Sequence, residues 1–304
     1  MNEIKLQHAV QQRVLLCDGA MGTELQKADL EPGGCGEILN LEQPEKILSI
    51  HRAYVLAGAD CLTTNTFGGS RIMLGRHGHD DKVDAIARTA VQLAREAFSA
   101  GPGYVLGDVG PLGGLLEPYG DISEAQARDA FGEQIAALID AGVDAILIET
   151  QTSLEELGVA IAAAREAGAP AVIGSIAYDV THAGDDLRTM MGVTPEDAAR
   201  FMAQAGVDVL GVNCGSGVDA AWAARVVLRY RTLSDLPTLA QPNAGQPVLE
   251  NLRTVYKQDP ELMASGIQRL LDAGVAMVGG CCGTTPEHIG RFRQLIDRKD
   301  GGVG

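Results

Sequence analysis

The chain alternates eight short apolar runs with longer segments in which apolar residues recur at the spacing of a helix. The apolar runs predict strands at RVLLC (13–17), DCLTTN (60–65), YVLGDV (104–109), VDAILIE (143–149), AVIGSIA (171–177), VDVLGVN (207–213), PTLAQ (237–241) and VAMVGG (275–280). The helical segments lie near residues 44–58, 80–99, 123–141, 153–167, 194–205, 218–231, 259–273 and 285–298. Strands that alternate with helices in this way are typical of parallel β/α units.

A repeated joint between helix and strand supports this count. The phrases AGADCLTTN, AGVDAILIE, AGVDVLGVN and AGVAMVGG introduce the second, fourth, sixth and eighth predicted strands. In each phrase the glycine suits the left-handed position that ends a helix. Capping residues mark three helix starts, namely Ser123 with Gln126, Ser153 with Glu156, and Thr194 before Pro195.

Eight evenly spaced units favour a single (β/α)8 TIM barrel over a doubly wound sheet, although Ala-Gly-Val joints occur in both kinds of α/β protein. No linker or low-complexity tract divides the chain. We expect residues 1–298 to form one barrel and residues 299–304 to form a flexible C-terminal tail.

Composition narrows the classes of partner. The net charge of -16 and the aromatic content of 4% argue against nucleic-acid binding, which needs cationic contacts and stacking platforms. No apolar run is long enough to span a membrane, and MNEIKLQHAVQQR at the N-terminus lacks the apolar stretch of a signal peptide. We therefore expect a cytoplasmic location, where the six cysteines are free thiols or metal ligands rather than disulfides.

The ends of the predicted strands are polar or carry thiols. In a (β/α)8 barrel, the C-terminal ends of the strands surround the active site. The residues at these ends are Asp18-Gly19, Asn65-Thr66, Asp108, Glu149-Thr150, Asp179, Asn213-Cys214, Gln241 and Cys281-Cys282.

Three of the cysteines indicate a metal site. Cys214 follows strand six and the Cys281-Cys282 pair follows strand eight, and alternate strands fill the same layers of a barrel. Flanking glycines permit the sharp turns that adjacent cysteines need to aim both sulfurs at one ion. Three thiolates leave a fourth tetrahedral position open, which is the pattern of a catalytic zinc. The alternative is that these are ordinary buried cysteines, which behave as small apolar residues.

The sequence gives weaker evidence for a functional role of the other three cysteines. Cys17 and Cys61 lie inside apolar strands, where an ordinary core role is favoured. Cys35 lies in the PGGCGE loop and is either an exposed bystander or a neighbour of the site.

A zinc ion with three cysteinates suits the alkylation of a thiol. Metal binding displaces the thiol proton at neutral pH, and three negative ligands keep the bound sulfur electron-rich. Zinc sites that generate hydroxide usually have neutral nitrogen ligands, so hydrolysis is the weaker interpretation. Glu149 could pair with the ammonium of an amino-acid thiol, and backbone amides at Asp18-Gly19 could hold its carboxylate. Solvated capping or turn roles remain the alternatives for Glu149 and Asp18, and also for Asp108.

These residues lie in motifs that resemble the homocysteine S-methyltransferase family along nearly the whole chain. The motifs are DGAMGTELQ (18–26), TNTFGG (64–69), GDVGPLG (107–113), ILIET (146–150), GVNCG (211–215), QPNAGQP (241–247) and GGCCGTTPEHI (279–289). The resemblance implies one zinc ion per chain held by Cys214, Cys281 and Cys282. It also implies a homocysteine site around Asp18, Gly19 and Glu149, with methionine as the product.

The methyl donor is the least defined part of this expectation. PNAGQP and the unbroken GGCCGTTP are most similar to the homocysteine-binding module of cobalamin-dependent methionine synthase. The 304 residues contain no second barrel for methylfolate and no Asp-x-His-x-x-Gly cobalamin motif. We therefore expect a methylcorrinoid carried by a separate partner protein.

Three other hypotheses stay open. The same barrel could use S-methylmethionine, S-adenosylmethionine or betaine as the donor. It could also be a corrinoid-pathway methyltransferase with another substrate. A non-catalytic barrel that binds zinc or senses redox state is the alternative outside the enzyme class.

Overall fold

The computed structural model describes residues 4–99, 101–250 and 253–301. Its main sheet contains eight parallel strands: β1 (Leu15–Leu16), β2 (Cys61–Thr63), β3 (Tyr104–Val109), β4 (Ala145–Gln151), β5 (Val172–Ile176), β6 (Val209–Asn213), β7 (Thr238–Gln241) and β8 (Met277–Val278). Each lies within the apolar run that predicted it, except β4, which continues two residues beyond its run. The eight predicted strands are therefore confirmed.

The strands close into a barrel. Each strand from β2 to β8 pairs with the next in chain order, and β8 pairs with β1. The remaining gap is bridged where Cys17 lies beside Cys61, with hydrogen bonds from Asp60 N to Leu16 O at 2.7 Å and from Asp18 N to Cys61 O at 3.0 Å. The predicted TIM barrel is thus confirmed.

Twelve α-helices lie among the described residues. They are α1 (Leu6–Gln12), α2 (Gly22–Lys27), α3 (Leu39–Glu42), α4 (Pro44–Leu56), α5 (Arg71–Gly75), α6 (Val83–Ala97), α7 (Glu124–Asp140), α8 (Leu154–Glu166), α9 (Pro195–Ala205), α10 (Ala220–Arg231), α11 (Pro260–Asp272) and α12 (Pro286–Gly301). The eight longest correspond to the predicted helices. The Ala-Gly joints behave as expected, because their glycines have φ values of 98°, 93°, 86° and 79° at Gly58, Gly142, Gly206 and Gly274.

The end of helix α12 overlaps the segment predicted to be a C-terminal tail. Helix α12 continues to Gly301, and Lys299 donates to the carbonyl oxygen of Leu271 at 2.5 Å. Buried Phe292 and Ile296 continue the helical period and pack the helix on the barrel. Residues 302–304 lie outside the described part of the chain, so their flexibility stays a prediction.

Two layers of apolar side chains fill the fold, because alternate residues of a strand point to opposite faces. The outer layer lies between strands and helices. The inner layer fills the barrel and includes Leu15, Cys17, Cys61, Tyr104, Leu106, Ala145, Leu147, Ile173, Val209, Leu239 and Met277. Helix α1 closes the lower end of the barrel with Leu6, Ala9 and Val10. Cys17 and Cys61 are fully buried there, in the ordinary core role expected for them.

Beyond the apolar inner layer, inward positions of six strands carry polar side chains that form the upper layer of the barrel. They are Thr63, Asp108, Glu149, Ser175, Asn213 and Gln241. On β6, Gly211 comes between inward-facing Val209 and the polar residue Asn213. The same alternation that packs the core therefore presents these side chains to the mouth.

Two hairpins that the apolar pattern did not predict extend the mouth. One pairs Asp179–Val180 with Leu187–Arg188, and the other pairs Pro247–Glu250 with Arg253–Tyr256. Asp179 accepts a hydrogen bond from Ser216 N at 2.8 Å, so this carboxylate fixes a loop outside the upper layer.

No helix in the described part of the chain is both long enough and apolar enough to cross a membrane. The cytoplasmic location itself stays a prediction.

Candidate functional site

Three cysteines meet at the mouth of the barrel. The Sγ atoms of Cys214, Cys281 and Cys282 all lie within 4.8 Å of one another, and those of Cys281 and Cys282 are 3.9 Å apart. Within the described ranges, this cysteine cluster is the one group of at least three side chains that is arranged to hold a metal ion.

The adjacent cysteines share one target because β8 ends at Val278 and the chain then turns. Three backbone hydrogen bonds fix this turn: Gly280 N to Asp18 O at 3.0 Å, Cys281 N to Pro242 O at 2.9 Å, and Ala244 N to Cys282 O at 2.9 Å. The turn is therefore held on one side by the DGAMGT segment and on the other by the PNAG segment.

Cys214 occupies the left-handed region with φ of 54°, and Gly215 follows with φ of 87°. A Cβ atom on Gly215 would lie 1.8 Å from the carbonyl oxygen of Tyr178. The backbone of the loop after β6 therefore passes so close to the loop after β5 that only glycine fits. This close approach sets the direction of the Cys214 side chain.

We expect Gly215→Ala to damage the cysteine cluster selectively. The matched control is Gly206→Ala, because Gly206 has φ of 86° but nothing within 4 Å of an added Cβ. The control should lower stability by about 1–2 kcal/mol through backbone strain alone. Gly215→Ala should lower the melting temperature further and reduce zinc retention after dialysis. Equal zinc retention in the two variants would contradict this role of Gly215.

The three thiols are electrostatically unequal. Hydrogen bonds from Cys214 and Cys281 lower the pKa of Cys282 to about 3, with a further contribution from Tyr256. Hydrogen bonding to Cys214 and Cys282, together with burial, raises the pKa of Cys281 well above its usual value. The lowered pKa of Cys282 favours its thiolate, which is the form of cysteine that binds metals.

The cluster fits a tetrahedral zinc ion. Zinc–sulfur bonds of about 2.3 Å in tetrahedral geometry place two sulfurs about 3.8 Å apart. The separation of 3.9 Å between Cys281 and Cys282 matches this value, and the third sulfur lies within 4.8 Å. Soft thiolate donors also favour zinc over magnesium or calcium.

All seven residues predicted for the site face one cavity. Its volume is about 490 Å³, and its lining includes Asp18, Gly19, Asp108, Glu149, Cys214, Cys281 and Cys282. Another part of the wall is apolar and contains Met21, Leu25, Leu30, Phe67 and Met73. The cavity thus combines sulfur ligands, carboxyl groups and an apolar wall at the end of the barrel where the sequence predicted a site.

Both carboxylate oxygens of Asp18 accept hydrogen bonds from within the protein. The donors are Thr63 N at 2.8 Å and Thr63 Oγ1 at 2.9 Å. Burial raises the pKa of Asp18 to about 7, and the bonds from Thr63 oppose this shift. The carboxylate of Asp18 thus ties the turn after β1 to the end of β2. At Gly19, an added Cβ would lie 2.7 Å from Thr284 Oγ1.

Glu149 and Asp108 form a carboxyl pair on neighbouring strands. Burial raises the pKa of Glu149, and burial together with the charge of Glu149 raises that of Asp108 well above its usual range. A hydrogen bond with Glu149 contributes to the raised pKa of Asp108, and this shift favours the protonated form of Asp108. Asp108 Oδ1 is buried and has no hydrogen-bond partner within the described residues. The shifts in pKa therefore favour a single negative charge on the pair, and one buried acceptor atom of Asp108 remains without a partner in the described part of the chain.

Two further residues at the site were given no role from the sequence. Asn213 was among the polar strand ends, and the structure shows that it binds Glu149, with Nδ2 to Oε2 at 2.5 Å. Tyr256 comes from an unpredicted hairpin, so no signal was available for it.

Cys35 lies beside the cavity and outside the cysteine cluster. It is half-buried, with Sγ 3.4 Å from Glu37 Oε2. Burial and the charge of Glu37 raise its pKa to about 11, so this thiol is protonated at neutral pH.

Comparisons with known proteins agree with this architecture. The model of a family described as homocysteine S-methyltransferase matches residues 15–296. The chain is 33% identical to methionine synthase of Mycobacterium leprae (strain TN) over 96% of its own length and 25% of that protein. It is 35% identical to methionine synthase of Mycobacterium tuberculosis (strain ATCC 25618 / H37Rv), over 91% of its own length and 24% of that protein. The chain thus spans about a quarter of the length of these relatives.

Solved structures share the fold. The metallated form of the homocysteine methyltransferase MmuM from Escherichia coli has a TM-score of 0.76 at 24% identity, covering 94% of this chain and 97% of that one. The carboxyl transferase domain of Rhizobium etli pyruvate carboxylase, with pyruvate, has a TM-score of 0.54 at 14% identity, covering 97% of this chain and 48% of that one. At these identities the likeness concerns the fold alone.

Proposed function

The chain belongs to the homocysteine S-methyltransferase family, and from this membership we propose that it transfers a methyl group to the thiol of L-homocysteine to give methionine. The observation that carries the proposal is the placement of three sulfurs, within 4.8 Å of one another, in the same cavity as Glu149 and Asp108. A thiol-binding centre beside an ammonium-binding centre suits an amino-acid thiol.

We propose that Cys214, Cys281 and Cys282 hold one zinc ion. When bound, zinc would supply the Lewis acidity that converts an incoming thiol into a thiolate at neutral pH. The protein's own contribution is to keep three sulfurs in place through the turn after β8 and the left-handed residue at Cys214.

The amino-acid end of homocysteine would bind between the upper ends of β4 and β1. Glu149 carries the charge that pairs with the ammonium, and Asp108 adds an unpaired acceptor on the adjacent strand. The turn at Asp18-Gly19 would receive the carboxylate through the backbone amide of Gly19, because Asp18 N is already bonded to Cys61 O. Because the Asp18 side chain is bonded to Thr63, we assign that side chain to holding the turn.

The transfer itself forms one bond and breaks one. The homocysteine sulfur attacks the methyl carbon and forms a carbon–sulfur bond, while the donor leaves with the electron pair of its bond to that carbon. The thiol proton goes to solvent before the attack. Met21, Leu30 and Phe67 in the apolar wall would exclude water from the methyl group during this step.

For the donor we propose a methylcorrinoid carried by a separate protein. The support is the similarity of PNAGQP and GGCCGTTP to the cobalamin-dependent branch of the family. A cavity of about 490 Å³ is of the size that holds a small molecule, so a corrinoid would face the mouth instead of entering it beside homocysteine.

A donor screen tests the proposal directly. Methylcobalamin at high concentration, or a methylated corrinoid protein, should convert homocysteine into methionine, detected by mass spectrometry. S-adenosylmethionine, S-methylmethionine and glycine betaine should be poor donors. Rapid turnover with S-methylmethionine and none with methylcobalamin would refute the proposed methylcorrinoid donor. The assignment of homocysteine as the acceptor would be unaffected. No methionine from any of the donors would instead favour a different substrate or the non-catalytic zinc barrel.

A further inference from the structure

The side-chain amide of Asn213 joins three neighbouring strands at the upper layer of the barrel. Its Nδ2 donates to Glu149 Oε2 at 2.5 Å and to Thr150 Oγ1 at 2.7 Å. Its Oδ1 accepts from Ser175 Oγ at 2.6 Å and from Thr150 N at 3.0 Å. An amide has two donor hydrogens and two acceptor lone pairs, so every bonding position of Asn213 is used.

The orientation of this amide is determined by its partners. The carboxylate of Glu149 can only accept a hydrogen bond, and the backbone N–H of Thr150 can only donate one. A flipped amide would therefore place nitrogen against a donor and oxygen against a carboxylate. The arrangement is also buried, because Asn213 is 1% exposed and Ser175 is 0% exposed.

The backbone makes room for the Ser175 hydroxyl. A Cβ atom on Gly211 would lie 2.6 Å from Ser175 Cβ and 2.8 Å from Ser175 Oγ. The glycine on β6 thus allows the serine on β5 to reach Asn213. Ser175 orients Asn213, and Asn213 in turn holds Glu149.

Asn213 is also covalently joined to the cysteine cluster. Cys214 follows it directly with φ of 54°, and Cys214 N donates to Gln241 O at 3.2 Å. One residue therefore binds the carboxylate of Glu149 through its side chain and positions a cysteine through its main chain. A shift of the Glu149 carboxylate relative to the Cys214 backbone would therefore break buried hydrogen bonds.

We infer that Asn213, oriented by Ser175, is a positioning residue that fixes the separation between Glu149 and Cys214 and thereby selects amino-acid thiols by length. This inference rests on the proposed function. Homocysteine has one more methylene group than cysteine between its amino carbon and its sulfur. With both ends of the substrate held at a fixed distance, the shorter thiol cannot reach both sites at once. A difference of one methylene typically gives about 10- to 200-fold discrimination.

The test measures the dissociation constants of homocysteine and cysteine by calorimetry on zinc-loaded protein. Asn213→Ala should weaken homocysteine binding about 10- to 100-fold and lower the homocysteine-to-cysteine preference at least about tenfold. Ser175→Ala should shift the preference in the same direction by a smaller factor, and it keeps the test informative where Asn213→Ala does not fold. The matched control is Thr238→Val, because Thr238 is fully buried on β7 and is not among the cavity residues.

A double-mutant cycle separates positioning from general damage. If Asn213 acts through Glu149, then Glu149→Gln with Asn213→Ala should bind homocysteine no more weakly than Glu149→Gln alone. An unchanged preference in both single variants, or additive losses for the pair, would overturn the inference. Wild-type protein that binds neither thiol would refute the proposed function itself.

Discussion

Cys282→Ala should keep the fold, lose most of the bound zinc and lose at least about a hundredfold in methyl transfer to homocysteine. Replacement of groups that only orient metal ligands already costs about 10- to 100-fold, so removal of a ligand should cost more. The fold should survive because Cys282 belongs to neither of the two apolar layers that fill the barrel. Zinc content by plasma mass spectrometry, thermal unfolding and methionine formation measure the three effects separately.

The matched control for this variant is Cys35→Ala. Cys35 is also a half-buried thiol beside the cavity, but it lies outside the cysteine cluster. It should therefore keep about one zinc ion per chain. Full zinc retention in single alanine variants of Cys214, Cys281 and Cys282 would remove the basis of the metal assignment.

Glu149→Gln should weaken homocysteine binding at least about thirtyfold while leaving the zinc in place. Removal of one partner from a buried charge pair typically costs about 2–5 kcal/mol, and the lower value corresponds to this factor. Glutamine has nearly the same shape as glutamate, so the packing beside Thr150 and Asn213 is kept and only the charge is lost. Calorimetric titration with homocysteine measures the change.

Two controls identify the ammonium as the cause. The ligand 4-mercaptobutyrate is homocysteine without its amino group. It should bind more weakly than homocysteine, and it should have the same affinity for wild type and for Glu149→Gln. The variant Glu156→Gln changes a buried acid that accepts a hydrogen bond from Leu112 N at 2.7 Å and is not among the cavity residues, so homocysteine should bind it normally. An equal loss for 4-mercaptobutyrate would show that Glu149 acts on the whole cavity and not on the ammonium.

The barrel was predictable because the sequence patterns that specify it involve residues close together along the chain. Strand period, helix period and the glycines of the Ala-Gly joints depend on neighbours along the chain, and Gly58, Gly142, Gly206 and Gly274 all have the expected positive φ. The cysteine cluster was also predictable, because the order of strands places β6 and β8 on the same interior layers.

The finer arrangement of the site was not predictable, because it depends on contacts between distant segments. Asp18 lines the cavity at the predicted place, but no pattern along the chain indicated that its carboxylate is bonded to Thr63 on the neighbouring strand. The amide of Asn213 has partners on two other strands, and no pattern along the chain predicts the rotamers of these side chains. The hairpin that carries Tyr256 has a short and mixed sequence, so its strands gave no clear period of two.

The position of Cys281 and Cys282 after the last barrel strand has a consequence for biosynthesis. A ribosome delivers Cys214 after β6, but the other two sulfurs emerge only when β8 has been made. The nascent chain therefore has an incomplete ligand set until the final strand can join β1 and β7. On the proposed function, zinc would therefore bind after the whole barrel has been translated, to a chain whose strands are already assembled.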